Sequence, residues 1–189
     1  MRTLLSRISV VLILLPVMAS AAAPAGWFLA GSDPGAYQIE RDVSVVRDGQ
    51  ASGRLASTGP SRGFGTMMQS FDSEDYRGKR LKLSAWVKSK DVKDWAGVWM
   101  RVDGKEKSTL AFDNMQQRPI KGTKDWTRYD IVLDVADHAS WISFGILVAG
   151  QGTVWMNGVQ FQVVDTSVPV TGTSSLSQGK KPTNLNFGN

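Results

Sequence analysis

The stretch WAGVWMRV, Trp95 to Val102, decides how the chain is read. A strand sends alternate side chains to opposite faces, so Val98, Met100 and Val102 share one side while Gly97, Trp99 and Arg101 share the other. Both sides carry a large hydrophobe. The aliphatic face belongs to a core, and the face with Trp99 and Arg101 either fills a second packed layer or meets a ligand.

Working outward, no segment between Gly26 and Asp165 sustains a 3.6-residue apolar period over three turns. Short runs rich in Val, Ile, Trp, Phe and Tyr alternate instead with Gly, Asp and Ser clusters. Strands are predicted at Tyr37–Asp42, Ser52–Ser57, Gly65–Phe71, Arg80–Ser89, Gly97–Val102, Thr109–Asn114, Thr127–Val135, Trp141–Ala149 and Thr153–Val164. Strands at this spacing predict an all-β, antiparallel β-sandwich or jelly roll. The glycines of Ala149-Gly150-Gln151-Gly152 predict a hairpin between the last two strands. Gly158 predicts a bulge that puts Val159, Phe161 and Val163 on one face. Arg101-Val102-Asp103-Gly104 reads as a turn, and Asp91 to Asp94 is too short for a stable helix.

The two ends differ from this middle. Arg2 and Arg7 precede a short apolar run to Met18, followed by Ala19-Ser20-Ala21-Ala22-Ala23, the layout of a secretory signal cleaved after Ala21 or Ala23. The run falls short of the roughly 20 residues that a spanning helix needs. Residues 1–23 are therefore expected to be a signal peptide, 26–165 a β-sandwich domain and 166–189 a disordered tail, because the tail is mostly Ser, Thr, Gly, Pro and Asn. The expected location is periplasmic or secreted. With no cysteine there is neither a disulfide nor a thiolate metal site.

Net charge is +5, but removing Arg2, Arg7, Lys180 and Lys181 leaves 18 bases against 17 acids. The remaining lysines and arginines are interleaved with acids rather than gathered in a basic stripe, which argues against nucleic acid as a partner. The single histidine, His138, has no nucleophile motif beside it. No metalloprotease, phosphate-loop or dinucleotide pattern occurs, so an enzyme is not expected.

The runs FDNMQQRPIKGTKDWTRYDIVLDV, Phe112 to Val135, and ISFGILVAGQGTVWMNGVQF, Ile142 to Phe161, resemble the galactose-binding-like β-sandwich superfamily. That superfamily includes many carbohydrate-binding modules of bacterial glycoside hydrolases. The chain is most similar to a small bacterial domain sometimes assigned within transcriptional regulators. The resemblance implies a non-catalytic domain that binds carbohydrate or an envelope glycan. It also implies a possible structural calcium ion, for which no D-x-D-x-D loop is present and no ligands are named; no other cofactor is expected. A structural or sensory domain of the envelope that contacts a protein partner and no small ligand is the alternative.

If the strands of Trp86 and Trp99 share a sheet, Trp86, Trp99 and Arg101 line one surface, with Gln69 nearby. Sugar rings stack on indoles while polar groups bond the hydroxyls. Asp113, Asn114 and Arg118 are candidates for the polar rim. The competing reading is a loop that covers the tryptophans, with Asp113 turning the backbone and pairing with Arg118.

Overall fold

The computed structural model describes residues 22–174. Ten antiparallel strands form one curled network: β1 (Phe28–Gly31), β2 (Tyr37–Arg47), β3 (Gln50–Ser57), β4 (Phe64–Asp72), β5 (Arg80–Asp103), β6 (Thr109–Asp113), β7 (Ile120–Asp134), β8 (Trp141–Ala149), β9 (Thr153–Val164) and β10 (Thr173–Ser174). All nine expected strands are present. Two of them, at 80–89 and 97–102, are the halves of a single long strand, β5.

β5 organises the molecule. Its first half pairs with β7 and β9, and its second half with β6 and β8. One layer therefore runs β2-β3-β9-β5-β7 and the other β1-β4-β8-β5-β6, with β10 on the outer side of β6. The strand bends between them where Asp91 takes a φ of 53°, a left-handed conformation that Asp tolerates better than most residues. The bend also slips the alternation. Core residues are odd before it (Leu81, Leu83, Ala85, Val87) and even after it (Ala96, Val98, Met100, Val102).

The glycine pair after β8 does not turn a hairpin. β8 and β9 make no ladder with each other; β8 lies along Trp95–Asp103 and β9 along Arg80–Lys90. The segment from Gly150 to Gly152 is a corner that carries the chain from one layer to the other beside the bend of β5. There the Lys93 amide donates to the Gln151 carbonyl at 2.8 Å. Gly150 and Gly152 have φ of 67° and 151°, and a Cβ on either would collide with Asp94 or Val92. The Tyr37 hydroxyl secures the corner by donating to the Gly150 carbonyl at 2.7 Å.

Between the layers, Leu55, Met67, Leu81, Leu83, Met100, Ile131, Leu133, Ile142 and Ile146 are completely buried. Each such side chain contributes about 1.5–3 kcal/mol of transfer free energy. Phe71, Phe144 and Phe161 meet edge to face, with ring centroids 4.9–5.9 Å apart. Phe161 and Val159 reach the core because Gly158, at φ 61°, makes the expected bulge; Val163 stays exposed at the strand end.

The ordered chain extends past Asp165. The Thr171 amide donates to the Val132 carbonyl, its hydroxyl receives the Val132 amide and donates to Asp113, and Thr173 pairs with Phe112. Residues 166–174, expected in a disordered tail, instead cover the edge of the sandwich, which is why Val132 on the outward side of β7 is buried. The rest of the expected tail and residues 1–21 of the expected signal lie outside the described residues. At the other end, the Ala22 carbonyl accepts the Arg41 amide at 3.0 Å. Among the described residues no helix is long and apolar enough to cross a membrane.

Candidate functional site

The outer face of the second layer is built from the residues that alternate away from the core. Trp95, Gly97, Trp99 and Arg101 come from β5, Leu147 and Ala149 from β8, and Phe64, Thr66 and Met68 from β4. With Arg62, Phe112 and Asn114 they line a cleft of about 620 Å³. Trp99 forms part of its floor and is only 7 % exposed. Its indole N–H donates to Thr66 Oγ1 at 2.8 Å, and that hydroxyl donates to the Ile146 carbonyl at 2.9 Å, so the ring is fixed in orientation. Gly97 permits the neighbouring wall: the Asn114 carbonyl lies 2.5 Å from where a Cβ would stand.

The polar side of the cleft is held as firmly. Arg101 Nε donates to the buried Asp103 carboxylate at 2.9 Å, while the arginine side chain is itself 41 % exposed. Asn114 accepts the Gln116 amide on its side-chain oxygen at 3.0 Å, an Asx turn that sets its position. Phe64, 37 % exposed, and the exposed Arg62 also line the cleft. An apolar floor with fixed polar groups at its margin is the general form of a small-molecule site.

Three of the six residues expected at the site line this cleft: Trp99, Arg101 and Asn114. Trp86 does not. It lies on β5 before the bend, so its outward face belongs to the other layer, and the Arg47 guanidinium stacks 4.0 Å from its ring centroid. Gln69 alternates inward and is not part of the lining. Asp113 and Arg118 also lie apart from it. Asp113 pairs across from the core residue Met100 and points inward, where it accepts the Met115 amide, both forks of Arg118 at 3.1 and 2.6 Å, and the Thr171 hydroxyl. That is the loop-locking arrangement weighed as the alternative.

Trp95, Phe112, Phe64 and Arg62 were not anticipated. Trp95 had a signal, since it alternates in phase with Gly97 and Trp99. Phe112 had one too, two residues before Asn114 on the predicted strand, whereas Arg62 and Phe64 reach the cleft through long-range pairing that no local pattern encodes.

Elsewhere, Asp42 on the outer face of the first layer receives Ser44, the Trp155 indole N–H at 2.7 Å and the amides of Val45 and Ser44. Partial burial opposes its ionisation, but these hydrogen bonds outweigh it and hold the carboxyl down at about 2. His138 is exposed in the turn before β8. Among the described residues no group of three or more His, Asp or Glu side chains gathers where it could hold a metal ion.

No protein-family model matches the chain. In structure it is similar to the CBM22-1 xylan-binding domain of Paenibacillus barcinonensis Xyn10C, with a TM-score of 0.56 over 76 % of this chain and 88 % of that one at 12 % identity. The fold is the galactose-binding-like β-sandwich. The same sandwich is found in the C-terminal family 22 carbohydrate-binding module of Clostridium thermocellum Xyn10B, with a TM-score of 0.53 over 75 % of this chain and 87 % of that one at 9 % identity. In sequence, 165 residues are 46 % identical to a Bacillus subtilis (strain 168) protein named uncharacterized HTH-type transcriptional regulator YbfP. The match covers 86 % of this chain and 56 % of that protein, so the chain spans little more than half the length of its relative.

Proposed function

We propose that this protein is a non-catalytic carbohydrate-binding domain, secreted or periplasmic, that holds a glycan in the cleft floored by Trp99. The observation that carries the reading is the cleft itself. A rigid indole and further aromatic side chains give apolar surface for the C–H faces of sugar rings, and Arg62, Arg101 and Asn114 stand beside them for the hydroxyls. The structural neighbours add support of a coarser kind, since one is named as xylan-binding and the cleft of another is named in connection with ligand binding. The address rests on the Arg2 to Ala23 pattern.

The test is affinity electrophoresis through gels containing soluble xylan, mixed-linkage β-glucan, galactomannan or peptidoglycan fragments. Retardation by at least one polysaccharide is expected, lost in the Arg62→Ala, Phe64→Ala double variant and kept in Trp86→Ala, which alters the other layer. Unretarded migration in every gel defeats the proposal.

The regulator name of the 46 % identical relative favours a second reading, in which the domain senses a ligand on behalf of a larger protein. The described residues contain no α-helix, hence no helix-turn-helix, so the domain would supply the sensing part alone. Both readings use the same cleft. Cell fractionation separates them, because retention on an envelope glycan requires export and control of transcription requires the cytoplasm.

A further inference from the structure

The face that carries the cleft continues beyond it. Trp141 opens β8 in phase with Ser143, Gly145 and Leu147, so it faces outward on the same layer, and at 52 % it is the most exposed aromatic side chain among the described residues. The register fixes its place. Gly145 lies between Trp99 and Met68, whereas Trp141 lies between Asp103 and Asp72, four residues earlier in β8 and roughly 13 Å away at the rise of an extended strand.

The ground between the two indoles is polar and ordered. Arg101 lies opposite Ser143, diagonal to Trp141, with its guanidinium held by Asp103. The hydroxyls of Ser70 and Ser143 are 2.8 Å apart, and Ser70 is exposed. An indole half in water adds little to the core, yet it offers a flat, rigid surface for stacking. A sugar in the cleft cannot also cover a ring this far away; several linked sugars can.

We infer that Trp141 is a second stacking platform and that the ligand is an oligosaccharide segment running from the Trp99 cleft, past Arg101 and Ser70, to the Trp141 ring. Recognition is then of several linked sugars rather than of a monosaccharide. This rests on the reading of the cleft as a glycan site.

Isothermal titration calorimetry of the purified chain with the disaccharide and hexasaccharide of xylan, mixed-linkage β-glucan and galactomannan tests it. The wild type is expected to bind one of the hexasaccharides about tenfold more tightly than its disaccharide, the scale of one aromatic contact. Trp141→Ala should abolish that difference by weakening only the hexasaccharide, and Trp141→Phe should restore part of it. A Trp141→Ala protein that binds the hexasaccharide as tightly as the wild type overturns the platform while leaving the cleft reading intact. A wild type that binds no sugar of either length overturns both.

Discussion

Replacing Trp99 by alanine tests the physical basis of the cleft, because the same ring is at once its floor and part of the packing. The side chain is 7 % exposed, so its deletion costs about 3–5 kcal/mol in lost transfer and residual cavity. The Thr66 hydroxyl loses the donated indole N–H but keeps its bond to the Ile146 carbonyl, so the further penalty is no more than about 1 kcal/mol. In a domain of this size about 4 kcal/mol lowers Tm by roughly 8–16 °C. Trp99→Phe preserves most of the volume and loses only the hydrogen bond and some contact, for about 1–2 kcal/mol. Thermal unfolding followed by circular dichroism, with urea titrations to confirm an unchanged m-value, measures both. A fall in Tm of less than about 2 °C in Trp99→Ala would refute the reasoning, since the indole would then be an unpacked surface ring. The outcome also bears on binding assays: loss of glycan retention in Trp99→Ala would report damage to the scaffold as much as loss of a contact.

Removing the Asp113 carboxylate should be strongly destabilising, because Asp113→Ala takes away the acceptor shared by the Arg118 guanidinium, the Met115 amide and the Thr171 hydroxyl; urea unfolding should show a loss of about 3 kcal/mol, at the lower end for a broken buried pair because Arg118 is partly exposed. Tyr37→Phe, which leaves the Gly150 carbonyl unpartnered, should cost about 1–3 kcal/mol in the same assay and lower protection of the Gly152 amide from hydrogen exchange. Asp42 is more acidic when folded than the ordinary carboxylate, so it stabilises the fold above about pH 4, and that contribution is lost as the pH falls toward about 2. Tm measured from pH 5 to pH 2.5 should therefore drop less steeply in Asp42→Asn than in the wild type, and parallel curves would contradict the assignment. Export with cleavage after Ala21 would leave Ala22 to accept the Arg41 amide, and intact mass of the protein from culture supernatant or periplasm should show that terminus.

The strands were legible because their alternations are strong. Leu81 to Val87 and Val98 to Val102 each placed their core face correctly. What the pattern lacked was the relation between them: the strand bends and slips in phase around the left-handed Asp91, and this puts Trp86 and Trp99 on opposite outer surfaces of the sandwich. The glycines at 150 and 152 carry the same local signal for a hairpin as for a corner between layers, and the bend of β5 alongside decides which forms. Alternation could have taken the candidate site further. It puts Trp95 in phase with Trp99, and it sends Asp113 and Asn114, consecutive in the expected strand 109–114, to opposite faces, so that both could not rim one cleft. Arg62 and Phe64 were beyond its reach, since β4 comes to lie beside β8 across a long stretch of chain. Thr171 and Thr173 occupy a segment whose composition reads as disordered, and a few specific hydrogen bonds to Val132, Asp113 and Phe112 hold it in place.

The claim that the Trp99 cleft binds glycan is tested most directly by the indole N–H resonances of the seven tryptophans. A two-dimensional nitrogen–proton spectrum, assigned by single Trp→Phe variants, is recorded while xylohexaose and the hexasaccharides of β-glucan and galactomannan are added in turn. Saturable shifts at Trp95 and Trp99 with at least one of these sugars, and none at Trp86 or Trp155 on the opposite layer, are the predicted result. Shifts confined to Trp86 and Trp155, or no shift with any of the three, would contradict it.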